Sequence, residues 1–195
     1  MIRQVVHSAI ALVFLVLLSP VFLVLALLVR LSSPGPVFFR QQRVGQGGRL
    51  FWIYKFRTMR MNNGGPQVTG AADHRITPTG AWLRHWKLDE LPQIVNVARG
   101  DMALVGPRPE VPRYVDHYTP EQREVLSVPP GITGATQLKY RNEEEMLRHA
   151  ADPEATYLRE IMPAKLAIDL EYIRHRGAWT DLKLIVQTAA RVLGR

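Results

Sequence analysis

Asp89 and Glu90 are adjacent carboxylates, with Lys87 just before them and an apolar-periodic stretch just after. An acidic pair at a helix start is common on solvated surfaces, where it complements the helix dipole and caps free amides. This pair is set apart by nearby cations suited to phosphate. Lys55 and Arg57 share one face of a strand by period-2 alternation, Arg84 shortly precedes the pair, and Arg108 stands between Pro107 and Pro109. A guanidinium offers phosphate a bidentate fork, and flanking prolines reduce the entropy lost in ordering it. Two acids among four cations suggest phosphoryl transfer. In that reading Asp89 is an ionised nucleophile whose pKa is lowered by helix amides and neighbouring cations. Glu90 helps hold Mg2+, a hard ion that takes one or two carboxylates together with substrate phosphate oxygens. A purely structural surface pair is the alternative reading.

Other chemistries find less support. Cysteine is absent, which excludes a disulfide framework, a thiolate metal site and a thiol nucleophile. The histidines (His7, His74, His85, His117, His149, His175) lack the i, i+4 spacing of a helical zinc pair, and no serine sits in a nucleophile elbow. There is no Walker loop, and the run Gly45-Gln-Gly-Gly joins strands instead of opening a helix. Glu143, Glu144 and Glu145 read as a solvated helical face.

Charge is unevenly distributed along the 195 residues. The formal net charge is +8, and residues 1–72 hold eight Arg and Lys and no acid, while the remainder balances 17 acids with 17 bases. The excess therefore lies beside the most apolar part of the chain, which points to an anionic partner near a membrane surface. A basic flank that only sets membrane orientation is the plainer alternative. A non-catalytic basic module on anionic lipid or nucleic acid fits poorly, because Asp89 and Glu90 would repel phosphate unless a metal intervened. Nucleic acid is not expected as a partner.

The elements that must position these groups begin with Ala9–Val29, an uncharged run broken only by Ser19 and Pro20. A straight helix of that length would reach roughly 30 Å, just enough to cross a bilayer core. Pro20 removes a backbone donor, so a kink is expected there, with Ser19 offering its hydroxyl to the freed carbonyl. Arg3 and Arg30 flank both ends, which favours a re-entrant bend over a kinked span; both remain open. Val37–Arg43 and Arg49–Met59 read as a β-hairpin turning at Gly45–Gly48. Asn62–Gly70 reads as a mobile loop, Thr79–Lys87 as a short helix, and Asp89–Ala98 as another with Asp89 as its N-cap. Pro153–Ile161, Ala164–Arg174 and Thr180–Leu193 are helical. The last of these places Leu182, Ile185, Val186, Ala189 and Val192 on one side, expected to pack on the domain and otherwise to lie in a membrane interface. The fold class is α+β, a mostly helical small domain with a short β-hairpin.

At the level of ordered motifs the chain resembles the bacterial sugar transferase family, the small monotopic phosphoglycosyl transferases. The resemblance rests on Ser19-Pro20, SPGPVFFRQQRVG (Ser32–Gly45), YKFRTM (Tyr54–Met59), ITPTGAWLR (Ile76–Arg84), KLDELPQIVNV (Lys87–Val97), GDMALVGPRPE (Gly100–Glu110) and PGITG (Pro130–Gly134). It implies transfer of a sugar 1-phosphate from a UDP-sugar to undecaprenyl phosphate, releasing UMP, through a phosphosugar-aspartyl intermediate. It implies Asp89 and Glu90 as catalytic and metal-binding, and Mg2+ as cofactor. It also implies Lys55, Arg57, Arg84, Arg108 and Arg141 as substrate ligands. A re-entrant helix over 1–31, broken at Ser19 and Pro20, would seat a catalytic domain of 32–195, with interfacial amphipathic helices, on the cytoplasmic face of the bacterial inner membrane. Membrane lipids, a second copy of the chain and downstream glycosyltransferases are the implied partners. The chain departs from the family at ATQLKYRN (Ala135–Asn142), where relatives often read GxxQVxGRN, and at Ala103, often serine. The first departure puts donor identity in question.

Overall fold

The computed structural model describes residues 2–61, 74–141, 143–148, 150 and 152–194; the expected loop Asn62–Gly70, His149 and Asn142 lie outside them. The architecture mixes helix and sheet, is predominantly helical, and contains two two-stranded sheets. Two compact units form. Among the described residues, the first takes 2–41, 52–61 and 74–103, and the second takes 42–51 and 104–194.

The first unit opens with helices α1 (Ile2–Leu17) and α2 (Ser19–Ser32), bent by 66° at Leu18. Pro20 has no N–H to give Val16 O, and Ser19 Oγ donates to that carbonyl at 2.8 Å, as expected from the sequence. The ladder holds on either side, with Leu18 N to Phe14 O at 2.8 Å and Phe22 N to Leu18 O at 2.9 Å. No single helix among the described residues is long and apolar enough to cross a membrane.

Each arm packs one narrow stripe. On α1, Ala11 is buried, Gln4 Nε2 donates to Met102 O at 2.8 Å, and Ser8 Oγ donates to Val97 O at 2.9 Å, near the end of helix α4 (Ile94–Arg99). On α2, Leu25 and Val29 are buried against Phe56 and Leu83, with Leu88 and Leu91 beside them. The remaining faces leave Val6, Val13, Val16, Leu17, Leu23 and Leu31 exposed. Such a contiguous apolar surface is rare on a water-soluble monomer.

Strands β1 (Phe38–Val44) and β2 (Leu50–Phe56) form the expected hairpin, turning through Gln46–Gly48 with Gly47 and Gly48 at positive φ. β2 stops at Phe56, short of the expected Met59, and Arg57 lies beyond its end. Helix α3 (Pro78–His85) is capped by Thr77, whose Oγ1 accepts from Gly80 N at 2.9 Å. Leu88–Gln93 is a 3-10 turn that continues into α4.

In the second unit, strands β3 (Ala103–Val105) and β4 (Gly131–Thr133) pair, and helices α5 (Pro112–Val115), α6 (Ala135–Lys139), α7 (Glu143–Arg148), α8 (Pro153–Thr156), α9 (Met162–His175) and α10 (Ala178–Leu193) follow the chain. Its core gathers Tyr114, Tyr118, Val125, Tyr157, Ile161 and Leu166. The expectation for α10 is corrected. It packs through Asp181, which accepts from Tyr172 Oη at 2.7 Å, through Leu184, and through Thr188, whose hydroxyl is 2.6 Å from that of Thr133. The stripe read as the packing face is outside: Leu182, Ile185 and Val186 are exposed, and Trp179 is 79% exposed. Buried hydrogen bonds from Tyr172 and Thr133 choose the face that apolar count alone misassigned. Glu143 is likewise not simply solvated, since its Oε2 accepts from Lys165 Nζ at 2.6 Å.

Asp169 is buried, accepts from Thr136 Oγ1, and burial pushes its pKa up to about 6. A carboxyl raised from 3.8 favours the folded state most at low pH, and that contribution is lost as pH rises through about 6. Asp169→Asn keeps an acceptor for Thr136 without the charge. Thermal unfolding in detergent should give equal midpoints for the two proteins at pH 4 and a more stable variant at pH 7.5, by up to about 3 kcal/mol. Parallel pH profiles would refute this.

Candidate active site

Asp89 lies inside the 3-10 turn Leu88–Gln93, 8% exposed, and its Oδ1 is buried without a hydrogen-bond partner. It is not the N-cap expected from the sequence. Lys87 precedes the turn in the left-handed conformation, φ 56°, an arrangement that costs a non-glycine residue about 1 kcal/mol or more and aims the following carboxylates. Glu90 Oε1 receives Lys55 Nζ at 2.7 Å, both side chains being largely shielded from solvent.

The electrostatics correct a second expectation. Burial first, then the charge of Glu90, raise the Asp89 carboxyl above its ordinary value; Lys55, Lys87 and Arg84 pull it down and do not outweigh them. Lys55 is shared with Glu90, and a desolvated carboxylate beside another is costly to ionise. The charges of Glu90, Lys55, Lys87 and Arg84 thus all act on the Asp89 carboxyl.

Arg57 is employed differently from the expected phosphate contact. It is buried, and its guanidinium donates to Ser33 O at 2.6 Å, Val29 O at 3.3 Å and Pro34 O. It thus binds carbonyls at the C-terminal end of α2, where a cation is favoured. Gly35, at φ 123°, makes the approach feasible, because a Cβ there would collide with Arg57 Nη1. Arg108 and Arg141 belong to the second unit. Arg108 lines a cleft there with Glu110 and Tyr118, whereas Arg141 Nη1 donates to Arg191 O at 2.7 Å, on the last turns of α10.

The family model for bacterial sugar transferase matches residues 1–195. The chain belongs to that family. It is similar to the UDP-glucose:undecaprenyl-phosphate glucose-1-phosphate transferases of Xanthomonas campestris pv. campestris, 43% identical over 192 residues (95% of this chain, 37% of that protein), and of Caulobacter vibrioides, 38% identical over 197 residues (98% and 69%). It is also similar to the UDP-N-acetylgalactosamine-undecaprenyl-phosphate N-acetylgalactosaminephosphotransferase of Aeromonas hydrophila, 38% identical over 190 residues (94% and 41%). The chain therefore spans about two fifths of the length of several relatives that it matches.

In this member of the family, one supporting residue escaped the reading of the sequence. Asn96 is fully buried; its Oδ1 accepts from Tyr54 N at 3.2 Å and its Nδ2 donates to Trp52 O at 2.7 Å. The amide thus serves β2 as a partner strand would and holds the strand carrying Lys55 against the segment carrying Glu90. A lone asparagine within the apolar run Ile94-Val95-Asn96-Val97 was the available signal.

Arg57→Lys and Gly35→Ala should each destabilise the fold, by roughly 1.5–3 kcal/mol for the charged hydrogen bonds lost, and so lower the unfolding midpoint. Were Arg57 a substrate ligand, Arg57→Lys would leave the midpoint unchanged and raise the donor KM alone; unfolding scans and donor titrations on the same preparations separate the two.

Proposed function

We propose that the chain transfers a sugar 1-phosphate from a UDP-sugar to undecaprenyl phosphate, the first step of a polysaccharide or other glycoconjugate, with Asp89 as nucleophile. The observation that carries this reading is the buried, unbonded Asp89 Oδ1 beside a Glu90 held by Lys55 at 2.7 Å. The names of the relatives support the substrates.

Asp89 attacks the β-phosphorus of the donor; a phosphorus–oxygen bond forms to Oδ and the bond to the α-phosphate breaks, so UMP leaves. An oxygen of the lipid phosphate then attacks the same phosphorus and the aspartyl carboxylate is released. Burial raises the basicity of Asp89 and with it the nucleophilicity of the ionised form. Arg84 and Lys87 favour that ionised form and offer charge to an incoming phosphate. Asp89 and Glu90 also fit Mg2+: an orphaned carboxylate oxygen beside a second carboxylate is a hard, two-oxygen donor set that substrate phosphate oxygens would complete. Bound there, the ion supplies neutralisation of the donor's phosphate charge.

The α1–α2 pair is read as re-entrant from the cytoplasmic face of the inner membrane. Gln4 and Ser8, near one end, and Leu25 and Val29, toward the other, all contact the same folded unit, and the bend at Leu18 lies between them. A spanning helix would carry its ends to opposite sides of the bilayer. Apolar faces turned outward along both arms suit hydrocarbon.

Purified protein with Mg2+, a UDP-sugar and undecaprenyl phosphate should release UMP, and Asp89→Asn should cut this by about a thousandfold or more at an unfolding midpoint no lower than that of the wild type. Full turnover by that variant would remove Asp89 from the mechanism, and UMP released equally fast without lipid would favour a membrane-anchored phosphohydrolase. Because the chain has no cysteine, single replacements Val5→Cys and Ser32→Cys can be labelled with an impermeant maleimide. Both should react from the cytoplasmic side only; labelling from opposite sides would refute the re-entrant reading.

A further inference from the structure

The corner Gly106–Glu110 presents Arg108 to a shallow cleft open to solvent. Its first half is fixed through backbone: Gly106 N donates to Thr133 O at 2.9 Å and Gly131 N to Pro107 O at 2.8 Å. A Cβ on Gly106 would stand 2.6 Å from Pro129 O and 2.9 Å from Gly131 N, so only glycine allows the two chains to pass this closely. Its second half is fixed by side chains. Glu110 Oε1 accepts from Tyr157 Oη at 3.3 Å, and Glu110 Oε2 lies 3.5 Å from Arg43 Nη1, which also donates to Pro109 O at 3.1 Å.

The string continues away from the cleft. Tyr157 Oη is 3.4 Å from Lys165 Nζ, and that ammonium donates to Glu143 Oε2 at 2.6 Å while lying 5.1 Å from the Tyr157 ring centre. Tyr157 opens a π-helical turn, Tyr157–Ile161, set between α8 and α9, and such irregular turns recur where a helix has to aim a side chain. Burial, then Glu110, push the Tyr157 hydroxyl up, so it stays a donor across the working pH range. Its target is two residues from Arg108, with Pro109 between them. A proline-stiffened corner transmits a shift at Glu110 to Arg108 instead of absorbing it.

We propose that Tyr157, steadied by Lys165 and acting through Glu110, is a positioning residue that sets the Arg108 guanidinium for the donor's diphosphate. The proposal rests on the reading of Arg108 as a phosphate contact. Buried polar strings also occur with a merely structural role, in which the core is held and the cleft is indifferent. The two accounts differ in whether the effect of Tyr157 survives without Arg108.

The test is a double-mutant cycle on UDP binding by calorimetry, with the full chain in lipid nanodiscs: wild type, Tyr157→Phe, Arg108→Ala and both together. Tyr157→Phe should weaken UDP about fivefold to twentyfold, the worth of one buried hydrogen bond. In the Arg108→Ala background it should cost nothing further, because the group it positions is gone. A full additional loss in that background would overturn the proposal. If Arg108→Ala binds UDP as the wild type does, the phosphate role of Arg108 falls and this inference with it, whereas UMP release by the wild type bears separately on the activity. Should Tyr157→Phe fail to fold, Lys165→Met, which keeps the alkyl stem, enters the same cycle: a weakening of about twofold to fivefold that vanishes without Arg108 supports the proposal, and one that persists overturns it.

Discussion

Two carboxylates on consecutive residues, one of them buried, are the constraint around which the first unit is arranged. Asp89 meets unfavourable desolvation and the charge of Glu90, and no hydrogen bond to its Oδ1 offsets either. What makes the arrangement tolerable is Lys55, which removes Glu90 from direct competition at 2.7 Å, together with the looser field of Arg84 and Lys87. That ion pair requires β2 and the 88–99 segment to be in register, and Asn96 fixes the register by bonding Trp52 O and Tyr54 N. The left-handed Lys87 belongs to the same economy of placement: local strain is held where the surrounding contacts over-determine the backbone.

The apolar helices are part of that arrangement as well. α1 is tied to Val97 O and Met102 O at the far end of the 88–102 segment, and α2 buries Leu25 and Val29 against Leu83 and Phe56 near its start. The segment bearing Asp89 is therefore braced by both arms, and Arg57 locks the chain where α2 ends. Broken helices are expensive in hydrocarbon unless the freed carbonyl finds a donor, and Ser19 provides it one residue from the proline that created the need.

Patterns of one residue type against the next carried well from sequence to structure. The Ser19–Pro20 break, the glycine hairpin turn and the nearness of Arg84 and Glu90 to Asp89 were all legible, because each follows from local backbone rules or from charges close in the chain. Failures came where tertiary burial decides. The sequence reads Asp89 as a helix N-cap and an ionised nucleophile with a lowered pKa, but packing of Leu88 and Leu91 beside the α2 cluster draws the turn inward and reverses the shift. Arg57 was read as a ligand because it alternates with Lys55, yet its strand had ended one residue earlier. The buried face of α10 was misjudged because Asp181 and Thr188 turn inward through hydrogen bonds to Tyr172 and Thr133, which lie on other elements.

The most conspicuous departure from the family pattern lies in the second unit and has a physical reading. Tyr140, where a glycine often stands, packs against the core of Tyr114, Tyr157 and Leu166 and does not line the cleft that Arg108 enters. Its bulk is absorbed by the interior, so it bears on the cleft only through the elements it supports, which include the turn that aims Tyr157. Overall similarity is equally indifferent to the sugar: the Caulobacter glucose-1-phosphate transferase and the Aeromonas N-acetylgalactosaminephosphotransferase are both 38% identical to this chain. Two donors that share a uridine diphosphate and differ only at C2 and C4 of the sugar have to be told apart by a few contacts, and identity averaged over nearly two hundred positions carries little information about them.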